Sequence, residues 1–160
     1  MRTVPKWRVI CCGVAIAVIV SGCQSGDQTA APLPTCPGSA TSDYGLGNAL
    51  NAAVPKLSAL PHRVATGTGT VIAVDGAAAP LRVAITVCGD GLDDTALKDV
   101  ASTLGIAIAD GSLLGTEVGG LSVELQPANK VAQAAPFVAK NFTPTAVLAD
   151  LRQNWVISTN

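Results

Sequence analysis

Aromatic side chains and charge are both scarce in this chain. Phe, Trp and Tyr together make up 3% of the 160 residues, and charged residues 13%. A core must therefore be filled mainly by Ala, Val, Leu and Ile. One histidine, His62, leaves little material for a general base or a metal site. Neither G-x-S-x-G nor H-E-x-x-H occurs, which removes two common hydrolase signatures. Cations do not gather: Lys56, Arg63, Arg82, Lys98, Lys130, Lys140 and Arg152 are spread along the chain. Without a basic stripe, nucleic acid and anionic membrane surfaces are poor partners. No apolar run reaches the ~20 residues that a spanning helix needs.

What the N-terminus does have is a short leader. Arg2, Lys6 and Arg8 carry positive charge, and an uncharged run of about 14 residues follows from Val9 to Gly22, a length that suits a signal peptide. No A-x-A site is well placed for the general signal peptidase, since Ala30-Ala31 comes late and precedes Pro32. The run closes instead on Val20-Ser21-Gly22-Cys23, an aliphatic residue, two small ones and a cysteine.

These four residues resemble the lipobox of bacterial lipoproteins. The resemblance implies a signal peptide over residues 1–22, a diacylglyceryl thioether on Cys23, and a further acyl group such as palmitate on the freed amine. Ser21 and Gly22 are small enough to admit the lipoprotein signal peptidase, and the thiol is the nucleophile that takes the lipid. Two or more chains give stable anchoring, at ~0.8 kcal/mol per buried methylene. The competing reading is an uncleaved short anchor with a buried thiol. Cys11 and Cys12 lie in the leader and leave with it. The Ala-, Val- and Gly-rich, Lys-poor composition is similar to that of high-GC actinobacteria. The expected place is the cell envelope, on the extracytoplasmic face of the cell membrane, held there by lipid on Cys23.

Taking Arg2, Lys6 and Arg8 from 10 basic and 11 acidic residues leaves 7 against 11, a net charge of −4 for residues 23–160. Cys36 and Cys88 remain. Outside the cytoplasm such an isolated pair reads as a disulfide closing about 52 residues, worth roughly 4 kcal/mol in the chain-entropy model. Two free thiols or a shared metal are the alternatives, the metal disfavoured by the single histidine.

Residues 23–42, rich in Pro, Ala, Ser and Thr, read as a tether, and residues 43–160 as one domain. Leu46, Leu50, Val54 and Leu57 give a helical face, with Pro55 predicting a kink or two short helices. Val64–Asp75 and Leu81–Cys88 alternate as strands around Gly76–Pro80, a hairpin with one buried face. Cys88 falls on the face opposite the large aliphatics of its strand. Leu97, Val100, Ala101, Leu104 and Ile108 return to a helical period over about 92–109, the rival being a strand at 106–108. Gly105 weakens its last turn. A loop over 110–120 precedes a strand from Leu121 to Gln126. Asn129–Ala135 reads as a short helix, Thr143-Pro144 as the start of a helix with Val147, Leu148 and Leu151 inward, and Trp155–Ile157 as its end or a closing strand. The expected fold is α+β: a small antiparallel sheet, the hairpin plus one or two further strands, with helices on one face.

Asp90, Asp93 and Asp94 are the densest carboxylates, but their spacing misses the calcium-loop pattern and suits a capping turn. Gly67-Thr68-Gly69 fits neither phosphate-loop pattern. Asn141-Phe142-Thr143 matches a glycosylation sequon that a bacterial lipobox makes uninformative. No catalytic residue, cofactor or metal is expected. The expectation is a non-enzymatic binding or accessory module for a lipid, glycan, peptide or envelope protein, with a lipid pocket between sheet and helices as one form. An envelope hydrolase is the alternative, and it requires His62 in a cleft against a carboxylate and a hydroxyl.

Overall fold

The computed structural model describes residues 32–38, 43–111 and 114–159, so the leader and Cys23 lie outside the described residues. Its helices are α1 (Leu46–Ser58), α2 (Asp94–Ala109) and the single turn α3 (Leu148–Leu151). Its strands are β1 (Val64–Ala73), β2 (Leu81–Gly89), β3 (Val118–Gln126), β4 (Lys130–Ala134) and β5 (Val156–Thr159). They form one sheet in the order β1-β2-β3-β4-β5. Three pairings are antiparallel, and β2–β3 is parallel. The fold is α+β, and the sheet is mixed for a simple reason: α2 lies between β2 and β3 and carries the chain back to the starting end of β2.

The strand alternation sorts side chains onto two faces. Val83, Ile85 and Val87 of β2 and Leu121, Val123 and Leu125 of β3 are at most 2% exposed and point to the helices. There they meet Leu46, Leu50 and Leu57 of α1 and Leu97, Leu104 and Ile108 of α2. A register shift between Thr66 and Gly69 inserts one residue into β1. It turns Gly69 inward under Leu46 and sends Thr68, Thr70 and Ile72 outward.

Local signals account for α2. Asp93 caps it, Oδ1 accepting from the Ala96 amide at 2.7 Å, and Asp94 sits in the first turn, where negative charge suits the macrodipole. The helix runs through Gly105, so the rival strand at 106–108 does not form. α1 also continues through Pro55 as one helix. Asn51 and Pro55 are both exposed there, so the carbonyl that proline cannot bond is left to water.

Three expectations need correction. Asn129–Ala135 is not a helix: Lys130–Ala134 pairs with β3 as β4, burying Ala132 and Ala134. Asn129, with φ of 50°, supplies the left-handed turn that starts it. Thr143-Pro144 opens a turn, Ala146 N–H donating to Thr143 C=O at 3.0 Å, and helix begins only at Leu148. Val147, expected inward, is 61% exposed, which leaves that segment too little apolar face to extend. Finally, β3 starts at Val118, inside the expected loop.

Phe137, Phe142 and Trp155 gather against α2. The phenyl rings stack at 4.6 Å, and Phe142 meets Trp155 edge-on at 5.8 Å. Trp155 Nε1 donates to Ser102 Oγ at 2.9 Å, with both side chains buried. Arg152 binds Asp99 through two 2.7 Å hydrogen bonds, tying the last turn to α2. That bond, above all, raises the guanidinium's pKa. A raised cation stays charged below its unfolded value, so on the alkaline side this link persists until strong alkali.

Candidate functional site

Helices cover one face of the sheet, and no described element covers the other. Along β1 the uncovered face presents Thr68 and Thr70, along β2 Ala84 and Thr86, along β3 Ser122 and Glu124. Val131 and Gln133 of β4 and Ser158 of β5 complete it. Together they line a shallow open groove of about 420 Å³. Register explains the rows: Thr70, Ala84, Ser122 and Gln133 lie across one line of the sheet, and Thr86, Glu124, Val131 and Ser158 across the next. Among the described residues, five hydroxyls and one amide face the groove, and Glu124 is its only titratable group. Gln126 Nε2 donates to Glu124 Oε1 at 2.8 Å. Among the described residues, no aromatic ring lines the groove.

The next row beyond one end of the groove is Ile72, Arg82 and Gly120, and Arg82 Nη1 donates to the carbonyls of Ala79 at 2.8 Å and Leu81 at 3.1 Å. At the other end sits the disulfide Cys36–Cys88, with Cα atoms 5.3 Å apart. It lies on the groove side of β2, opposite Val83, Ile85 and Val87, as alternation requires. Pro32–Gly38, expected to be tether, runs over this end of the sheet. With Gln126, Pro127 and Asp90 it lines a second open cleft of about 420 Å³.

The other candidates do not assemble. His62 is half-buried and lines a 130 Å³ cleft with Asp93, Thr95 and Asp99. Among the described residues no hydrogen bond joins it to any of them. Asp93 is committed to its cap and Asp99 to Arg152. Asp94 pairs with Lys130, while Asp90 lies beyond the β2 end beside Pro34 and Pro127. Among the described residues no group of three or more His, Cys, Asp or Glu could hold a metal. Gly67-Thr68-Gly69 is the bulged middle of β1, not a phosphate loop. Phe142 of the sequon is 2% exposed and packs in the aromatic cluster. Sequence reasoning misses this groove: its signal is the outward Thr, Ser and Glu alternation of β1 to β3, but only the sheet order brings those residues together, and Val131 and Gln133 read as helix.

Fold and site thus define a class: a small α+β domain with a filled core on one side of its sheet and a polar, open groove on the other. Comparison with family models, with curated proteins and with solved structures gives no match.

Proposed function

We propose that the chain is a lipid-anchored, extracytoplasmic module without catalytic activity of its own, which binds a polar segment of a partner protein in the open groove of its sheet. The carrying observation is the one-sided layering, with every large aliphatic of β2 and β3 turned to the helices and hydroxyls, an amide and one carboxylate turned to the groove. Such a face suits an extended polar chain whose donors and acceptors recur at strand spacing. A glycan fits less well, because no ring is there to pack a sugar's C–H surface. The filled interface of Leu97, Leu104, Leu121 and Val123 favours this surface over a lipid held between the layers. The hydrolase alternative has no support from His62, whose neighbouring carboxylates are engaged elsewhere. Anchoring rests on the lipobox at Val20–Cys23 and on the disulfide, which suits an oxidising compartment.

The anchor is tested by mass spectrometry of the chain from its native membranes: a diacylglyceryl thioether on Cys23 is expected, and an unmodified intact N-terminus refutes it. For the groove, a photo-crosslinking residue is placed in living cells at Gln133, exposed in the groove, or at Asn51, exposed on α1. A discrete protein adduct from Gln133 and none from Asn51 is expected. Equal adducts from both positions, or none from Gln133, would remove the groove reading.

A further inference from the structure

Among the described residues, the strap Pro32–Gly38 is held by one covalent bond, one hydrogen bond and the packing of half-buried Pro34 and Cys36. No backbone–backbone hydrogen bond joins it to the domain among the described residues. One side-chain contact does, Thr68 Oγ1 donating to Pro37 C=O at 3.4 Å. Thr68 also lines the groove, so the strap abuts the groove's end. Beneath it Cys88 is 5% exposed, whereas Cys36 is half-buried. Gly67 is the seat: a Cβ there would stand 2.7 Å from both Cys36 Sγ and Pro37 O, so any side chain would lift the strap. The hydrophobic core lies on the opposite face of the sheet and contains no strap residue.

From this placement we infer that Cys36–Cys88 is a redox latch on the groove, and not a staple of the core. A dithiol reductant opens it. Its thiolate attacks the sulfur of the more exposed residue, Cys36, and expels Cys88 as thiolate, which takes up a proton. The second thiol of the reductant then displaces Cys36, leaving two protein thiols and an oxidised dithiol, a two-electron exchange. The strap then lifts from Gly67 and Thr68, Cys88 meets solvent, and the groove becomes open at that end. The latch stands on the strap geometry alone, while a second consequence rests on the anchoring proposed above. With the bond closed, 13 residues separate Cys23 from its first fixed point, a reach of at most about 45 Å. With it open the first fixed point is the turn at Asp43, 20 residues along, and the reach grows to about 70 Å. Reduction therefore both uncovers the end of the groove and lets the domain stand farther from the bilayer.

The test uses the full chain in mild detergent, reduced with dithiothreitol and pulsed with a maleimide under native conditions, with peptide mapping of the Cys88 fragment. Near-UV circular dichroism reports the Trp155 cluster in the same sample. The expected result is an unchanged near-UV signal together with Cys88 labelling within about ten-fold of an exposed thiol. Loss of the near-UV signal on reduction overturns the inference, because the bond would then be holding the core. A retained signal with Cys88 still protected also overturns it, because the strap would stay down unaided. Gly67→Ala, with both cysteines intact, checks the seat without prior reduction: its disulfide should be reduced several-fold faster than the parent's. Equal rates would mean that the strap does not rest on Gly67. None of these readouts involves Cys23, so a missing lipid would sink the anchor and leave the latch standing.

Discussion

Gly105→Ala sets two physical effects against each other at one position. Gly105 lies inside α2, where alanine is favoured over glycine by about 1 kcal/mol from helix propensity alone. A Cβ there would stand 2.8 Å from Phe142 Cδ1 and 2.9 Å from Cε1, with Phe137 Cε2 at 3.4 Å. Phe142 is 2% exposed and held between a stacked Phe137 and an edge-on Trp155, so the ring cannot swing away cheaply. Overpacking of this kind costs about 1–3 kcal/mol, and loosening either aromatic pair adds about 0.5–1.5 kcal/mol. The clash outweighs the propensity gain. Gly105→Ala should lose about 1–2 kcal/mol net, a fall in Tm of roughly 3–8 °C for a domain of this size. The assay is urea unfolding followed by Trp155 fluorescence, repeated on Phe142→Leu and on the double variant. Because a leucine leaves room for the new methyl, the double variant should be more stable than the sum of the two singles by about 1 kcal/mol. A Gly105→Ala protein more stable than the parent, or strict additivity, would refute the reasoning.

Ser102→Ala leaves the Trp155 indole N–H buried without its 2.9 Å acceptor, so it should cost about 1–3 kcal/mol with an unchanged denaturant slope. Neighbours on β3 should behave oppositely. Leu121→Ala, on the helix side and 1% exposed, should cost about 2–5 kcal/mol, and Ser122→Ala, on the groove side, should stay within about 0.5 kcal/mol, both read by the same urea unfolding. Comparable losses at the two positions would mean that the groove face carries part of the core.

The readable parts of the sequence were those whose local pattern and tertiary role agree. The β1–β2 hairpin forms around Gly76–Pro80 with β2 alternating cleanly, Asp93 precedes a clear helical period, and the lone Cys36–Cys88 pair is bonded. Residues 130–134 misled because Lys-Val-Ala-Gln-Ala favours helix, and only pairing with β3 and β5 overrides it. β5 was left open with helix because its four residues are mostly exposed and carry no core pattern. The bulge in β1 is hidden inside an unbroken Thr-Gly repeat, so plain alternation puts Thr66 on the face of Thr68, Thr70 and Ile72, whereas the register pairs it with the inward Val87. Gly105 reads along the chain only as a weak point in a helix. Its meaning comes from Phe142, 37 residues away, and no local pattern carries that. The groove likewise depends on β1 to β5 lying in sequence order across the sheet.

The scarcity of aromatics bears on how the proposed groove would bind. Phe137, Phe142 and Trp155 are all at most 4% exposed and packed against α2, away from the groove. Interfaces draw most of their affinity from buried Trp, Tyr and Arg anchors. The groove has no aromatic, and its neighbour Arg82 is already bonded to Ala79 and Leu81. Ile72 and Val156, 61% and 72% exposed, sit at opposite sheet edges and cannot form one anchor. On the proposed reading, binding there would come from several solvent-competed hydrogen bonds, each worth only about 0.5–1.5 kcal/mol net, against an association cost of at least about 4 kcal/mol. Such a surface is weak in free solution. On the proposed reading, confinement would supply what it lacks, because a domain leashed within tens of ångströms of a bilayer shares a thin layer with any partner fixed to the same membrane. On the proposed reading, the lipid on Cys23 is part of the binding free energy as well as an address, and soluble groove and partner should associate far more weakly than the same pair on one vesicle.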